Sequence, residues 1–538
     1  MDTQTSLFIV STLLGILCLR ALQKYLWAST VSAIHGPESK SWAFGNLVEL
    51  LLPPTYGFHE FAWTKQFGAV YRIRGCFGQD RLVISDPTAL QYITNSGDFQ
   101  QGPLLAVTRT WLYEPKGVVF LQGEEHARLR AALNVGFSAS AVRRCRPIFD
   151  GIALWISDQL DRTLLAHTEG EEINVNLSPV LAGAALRAIT DAAFGCPVTL
   201  MAPELLQLNN RLLEIVSTGT KTQLLFDAFA IRLPKPLLRL AIHLPTAAFR
   251  ALRAFKFVSR SEGWRLVHEK TKMAMTGVVE EREERDVYST LLQTPEKNSK
   301  DDASPSKKML SAQDLVAQTS LFLIAGQDTT ANTLAFGFLE LARRPALQSR
   351  LRAEIQAATA RSTVAYESLP LLNAFIKETM RMYPASPLPE RVAVRDCVIP
   401  LSTEGGRTVS SEKMQGIPVS RGQVVMVAIA AYQRFDPRWG ANGEEFDPDR
   451  WLDGRVRQGD ALGPYANLLS FFAGPHTCLG WRFAILEMQT VLFKLIGDFE
   501  FSVPETEGRA FRMRLATTLL PLDKDGKKGT RVCVKRVV

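Results

Sequence analysis

Phe471-Phe472-Ala473-Gly474-Pro475-His476-Thr477-Cys478-Leu479-Gly480 is the stretch on which the fold turns, and an apolar run starting at Trp481 follows it directly. A lone cysteine ahead of a helix is ordinarily a small buried hydrophobe. Here one glycine stands four residues before it and another two residues after it. Glycine opens backbone conformations closed to other residues and lets a flat ligand come close. A sulfur at the start of a helix also meets partial positive charge, which favours thiolate over thiol. The pattern therefore predicts a single thiolate held rigidly beneath a metal-bearing macrocycle. The other cysteines are Cys18, Cys76, Cys145, Cys196, Cys397 and Cys533, scattered and with no C-x-x-C pair. Neither a disulfide framework nor a zinc site is expected, and the catalytic body belongs in a reducing compartment.

Upstream, Ser311 with Asp314 forms a capping-box pattern, and an apolar-rich run continues to Arg344, where Pro345 stops it. A helix of that length spans about 50 Å at 1.5 Å per residue, and it is too apolar for the surface. Ala325-Gly326-Gln327-Asp328-Thr329-Thr330 interrupts its middle. A buried Asp is costly unless paired or functional, and threonine hydroxyls bend helices by bonding back to a carbonyl. Taken alone, this is a kink with a satisfied polar pocket. Glu378 and Arg381 share a helix face ahead of Tyr383-Pro384. Taken alone, they are an ordinary surface pair of little worth.

Together these segments resemble the motifs of the cytochrome P-450 family. The cysteine stretch resembles its haem-binding loop, F-x-x-G-x-R/H-x-C-x-G, with His476 where many members have Arg. The Ala325–Thr330 segment resembles A/G-G-x-D/E-T-T/S, and Glu378-Thr-Met-Arg381 matches E-x-x-R. Pro448-Asp-Arg450-Trp451 stands where the family has P-x-R, with Trp where Phe is frequent. The resemblance covers nearly the whole chain and is to fungal-type, microsomal members. It implies a mainly α fold with a small β region near the N-terminal part, as one catalytic domain. It implies haem b with Cys478 as axial ligand, whose electron push favours O–O cleavage. By the same resemblance Asp328 and Thr329 relay protons to bound dioxygen, Gly326 leaves room above the haem, and Phe471, Gly474, His476 and Gly480 shape the loop. His126 and Arg130, in His126-Ala-Arg-Leu-Arg130, and Arg391 are implied propionate contacts, and an Arg fork suits a carboxylate. Glu378, Arg381 and Arg450 are implied as a structural network that locks the cysteine loop.

The rest of the chain sets the context. Thr3 to Leu19 carries no charge, with Asp2 before it and Arg20 and Lys24 after it. A bilayer span needs about 17–25 residues, and the flanking cations can snorkel. Residues 1–28 are therefore expected to be an uncleaved transmembrane anchor, with residues 29–538 as the catalytic domain on the cytosolic side of the endoplasmic reticulum membrane. The net charge of +8 is dispersed, so no nucleic-acid stripe is present. Arg232 to Arg260 holds seven cations and no acid among Leu, Ala and Phe, as a membrane-surface helix or a solvated helix face would. Residues 294–308 read as an exposed loop.

The expected reaction is insertion of one oxygen atom of dioxygen into a lipophilic molecule, with a terpenoid, sterol or other secondary metabolite favoured over a xenobiotic. Electrons are expected from NADPH through a separate cytochrome P-450 reductase, with cytochrome b5 as a further donor, because the chain has no nucleotide-binding G-x-G-x-x-G. Substrate contacts are expected from residues 101–120, 205–244, near Phe322, at Pro387-Leu388 and at 517–520. Two rival readings are a reductase-independent enzyme that rearranges peroxides and a non-catalytic haem-binding protein. Asp328 and Thr329, both present, argue against each.

Overall fold

The computed structural model describes Gly15 and residues 30–166, 172–217, 219–275, 286–292, 310–360, 364–402, 414–457, 462–505, 512–516 and 518–537. The anchor expected over 1–28, Gly15 apart, and the loop expected over 294–308 lie outside the described residues, as does Thr517. Among the described residues no helix is long and apolar enough to cross a membrane.

Helices dominate, and the longest of them organises the rest. The central helix, Ala312–Arg343, begins at Ser311, whose side chain accepts from the Asp314 N–H while Asp314 reaches back to the Ser311 N–H. Both halves of the capping box are thus present, as the sequence predicts. The helix is buried along most of its length, because apolar and small residues predominate on every side, with Asp314, Gln318, Gln327, Asp328, Asn332 and Glu340 buried among them. It packs against the helices Ser178–Ala188 and Ala247–Met275. Behind the cysteine loop run the helix Pro370–Met382, which carries Glu378 and Arg381, and the cysteine helix, Trp481–Asp498.

Among the described residues, twelve strands build four small sheets. They are β1 (Val70–Arg74), β2 (Asp80–Ile84), β3 (Phe99–Gln101), β4 (Ile173–Asn176), β5 (Glu390–Ala393), β6 (Cys397–Pro400), β7 (Gly416–Val419), β8 (Val424–Val427), β9 (Phe499–Ser502), β10 (Arg512–Leu515), β11 (Leu519–Leu522) and β12 (Arg531–Arg536). The largest sheet has the order β1-β2-β8-β5-β3, with only the β2–β8 pair parallel. The β region is therefore not confined to the N-terminal part, because strands more than 300 residues apart in sequence share its core. The chain bends after β5 before β6 starts. Within that sheet Gln101 of β3 lies opposite Arg391 of β5, so the sheet edge delivers both to one place.

Candidate active site

The cysteine loop is shaped by backbone that few residues tolerate. Ala466, Asn467 and Phe472 all have positive φ, Phe472 at 58°, and Gly474 follows at 67°. A non-glycine residue held there costs on the order of 1–3 kcal/mol, and such strain persists where the surroundings enforce it. Gly474 is required twice over, since a Cβ would also stand 2.1 Å from the Thr94 carbonyl oxygen. The turn closes when the Cys478 N–H donates to the Phe471 carbonyl at 2.8 Å. Gly480 differs. Its φ is negative, and no atom lies within 4 Å of where its side chain would be.

Cys478 opens onto a cavity of about 390 Å³, which accounts for its exposure, although the surrounding protein desolvates the thiol. Burial pushes its pKa up, while the Gly480 N–H and the Arg130 charge pull it down. The helix-start effect is thus present and opposed. Thr329 lines the same cavity and donates its hydroxyl to the Ala325 carbonyl at 2.8 Å, within a central helix that runs unbroken past it.

His126, Arg130, Arg391 and His476 also line this cavity. The two imidazoles lie against each other at a tilt of 33°, with centroids 4.2 Å apart, and His476 Nε2 lies 3.3 Å from Gln122 Oε1. Arg391 lies over the Phe472 ring at 4.1 Å. Burial lowers the Arg391 pKa to about 10. Burial, then His126, Arg391 and Arg130, hold His476 at about 4. Among the described residues no carboxylate acts on Arg130 or Arg391 strongly enough to offset this. Four basic groups on one cavity wall, without an acid beside them, fit a ligand that brings its own carboxylates.

The network behind the loop is complete and fully buried. Glu378 receives Arg381 Nε and Nη2 at 2.8 Å each, Arg450 Nε at 2.9 Å and Trp451 Nε1 at 3.0 Å. Arg381 also donates to the Gln433 and Glu445 carbonyls, and Arg450 to those of Asn442 and Glu445. Gln433 then passes the register to the cysteine loop. Its Nε2 donates to the Met380 and Arg381 carbonyls, and its Oε1 accepts from the Leu469 N–H at 2.9 Å. No local sequence signal marks Gln433, whose partners lie more than 30 residues away on both sides.

Other expectations are placed differently. Asp328 is buried but does not line the cavity; Lys528 Nζ holds its Oδ1 at 2.8 Å. Gly326 does line it, yet a Cβ there would lie 2.3 Å from the Ile189 side chain, so the missing side chain makes room for Ile189. Residues 101–120 contribute Gln101, Leu105, Val118 and Val119, and Phe322 is present, as expected. Among the described residues of 205–244 none lines the cavity; Asn209 Nδ2 instead donates to Gln327 Oε1 on the central helix at 2.5 Å, while Ala230 and Leu238 pack against Val107 and Trp111. Ala385, Ser386 and Pro389 line the cavity in place of Pro387 and Leu388, and residues 518–520 do not reach it.

A single cavity-lining thiol opposite a cluster of basic side chains suits a metal that arrives inside its own ring of ligands. The family model described as "Cytochrome P450" matches residues 35–524. The chain belongs to the cytochrome P450 family. Proteins of this family bind haem through an axial cysteine thiolate and are oxidoreductases that incorporate oxygen from dioxygen. Among this P450's relatives, cytochrome P450 monooxygenase 205 of Postia placenta is 28% identical over 497 residues, 89% of this chain and 88% of its own. Cytochrome P450 monooxygenase 91 of the same fungus is 29% identical over 514 residues, 91% of each. Cytochrome P450 monooxygenase claP of Ampulloclitocybe clavipes is 27% identical, covering 93% and 92%. This P450 is thus a fungal-type member, with a redox partner and a small-molecule substrate implied by its family.

Proposed function

We propose that this P450 is a membrane-bound monooxygenase that hydroxylates or epoxidises a lipophilic secondary metabolite, of terpenoid or sterol type, with electrons from NADPH through a separate reductase. The observation that carries this reading is the shared cavity of Cys478, Thr329 and the basic cluster, whose remaining lining is largely apolar. Cys478 would ligate haem b, with its propionates on Arg130, Arg391, His126 and His476. The bound haem supplies activation of dioxygen, so that one oxygen atom enters the substrate and the other leaves as water.

The chain's own residues divide the remaining work. Thr329 presents a hydroxyl at the cavity wall, where a proton has to be handed over. Asp328 shares that task from the other face of the helix, where Lys528 holds it. Replacing Thr329 by Val keeps the volume and removes the proton. Product formation is expected to fall about 10²-fold while NADPH consumption continues, because positioned acid–base groups contribute about 10²–10⁴-fold. Turnover with NADPH and reductase tests the reaction class. Turnover on a lipid hydroperoxide alone, with none from NADPH, would overturn it.

Membrane attachment through residues 1–28 is part of the same proposal. A second feature supports it. Phe226, Phe229, Leu237, Leu240 and Leu244 are 43–65% exposed, with Lys235 and Arg239 among them. Such a basic, apolar surface suits a bilayer interface. The full chain is expected to stay in the membrane pellet after alkaline carbonate washing. Leu13→Arg with Leu14→Arg should release it, since a charge at the centre of a span costs about 2.5–3.5 kcal/mol.

A further inference from the structure

The hydroxyl groups of the cavity wall are mostly spoken for. Thr329 donates to the Ala325 carbonyl and Thr333 to that of Thr329, at 2.8 and 2.9 Å. Ser470 donates to the Met380 carbonyl at 2.8 Å and Thr477 to that of Gly474 at 2.7 Å. Tyr383 is tied to the Glu340 carboxylate. Gln101 commits its amide nitrogen to the Val119 carbonyl. Two hydroxyls remain, those of Ser386 and Thr330; both residues line the cavity, and neither side chain has a hydrogen-bond partner among the described residues.

Ser386 is also held firmly. It lies in Pro384-Ala-Ser386-Pro-Leu-Pro389, where three prolines fix φ. The backbone on either side is pinned: the Leu519 N–H donates to the Ala385 carbonyl at 2.9 Å and the Ala430 N–H to that of Pro387 at 3.3 Å. Val427 N–H holds the Pro389 carbonyl at 2.9 Å. A serine hydroxyl on so stiff a segment is pre-organised for a partner, at little cost in ordering. Thr330 is equally fixed, one residue past Thr329 on the central helix.

We infer that Ser386 and Thr330 are specificity-determining residues that recognise an oxygen function already present on the substrate. This deepens the monooxygenase reading and rests on it. The substrate class becomes an apolar skeleton that carries an alcohol or ketone, in preference to the bare hydrocarbon. A site that offers fixed donors leaves them unpaired when the oxygen is missing, so discrimination comes from the poorer ligand's cost. An oxygen-installing reaction must then precede this one.

The test uses the full-length, haem-loaded protein and two matched sets of probes: decalin, 2-decalol and 2-decalone, and androstane, androstan-3-ol and androstan-3-one. Dissociation constants are read by calorimetry. In at least one set the oxygenated probes are expected to bind about 10-fold more tightly than the hydrocarbon. Ser386→Ala and Thr330→Val should each reduce that ratio by about 3–10-fold, the effect of one neutral hydrogen bond. The double variant should bring it to about one, and Thr330→Ser should retain it. Equal affinities within both sets, no binding by any probe, or a ratio that survives in the double variant overturns the inference. The monooxygenase reading is judged separately, by the carbon monoxide spectrum and NADPH turnover, and a normal result there with equal affinities removes this inference alone.

Discussion

Cys478→Ala is expected to abolish the red-shifted Soret band that thiolate ligation gives to the reduced carbon monoxide complex. Turnover should fall by at least about 10³-fold, equivalent to about 4 kcal/mol of barrier. The reason is that nothing nearby can substitute. Cys478 is the one cysteine among the residues lining the cavity, and the basic groups across it are fixed by each other and by Phe472. Cys478→His sharpens the test. An imidazole can still ligate haem, so haem content should recover in part while the thiolate band stays absent. A Cys478→Ala protein that kept the band would transfer the ligand role elsewhere and overturn the site.

Glu378→Gln is expected to be nearly as damaging, through folding. Glu378, Arg381 and Arg450 are all wholly buried, and two guanidiniums share the one carboxylate. Removing its charge leaves buried cations uncompensated, which typically costs about 3–5 kcal/mol. Folding stabilities are commonly about 5–15 kcal/mol, so this is a large share. The measurement is the denaturant midpoint together with haem content. A stability equal to wild type would show the network to be dispensable. Gln433→Ala separates folding from ligation. It cuts the link from Arg381 to Leu469 and leaves the ion pairs intact, so the thiolate band should weaken more than the midpoint falls.

These two sites also show how far the sequence could be read. The cysteine loop was legible because its chemistry is local: glycines, cysteine and helix start lie within ten residues. The central helix was legible through its capping box and its apolar period. Glu378 and Arg381 alone looked like a surface pair, and only the resemblance placed them inside. What escaped depends on contacts between distant segments. Gln433 has no motif. Ile189 fills the notch at Gly326 from a neighbouring helical segment more than 100 residues upstream. The substrate wall was over-assigned to 205–244, because an apolar, basic stretch looks the same whether it faces a cavity, the protein or a bilayer. That Lys528 holds Asp328 could not be read from the sequence, because the two lie 200 residues apart.

That last separation has a bearing on how the chain is made. The midpoint of the central helix leaves the ribosome long before its counter-cation does. At about 5–20 residues per second, the interval is about 10–40 s. Throughout it the Asp328 carboxylate has no Lys528, and β12, which joins β4 to β9, does not yet exist. The helix must therefore wait, hydrated at its centre, for nearly the last residues to be synthesised. A premature stop just before Lys528 would remove few residues and yet leave a buried carboxylate without its cation.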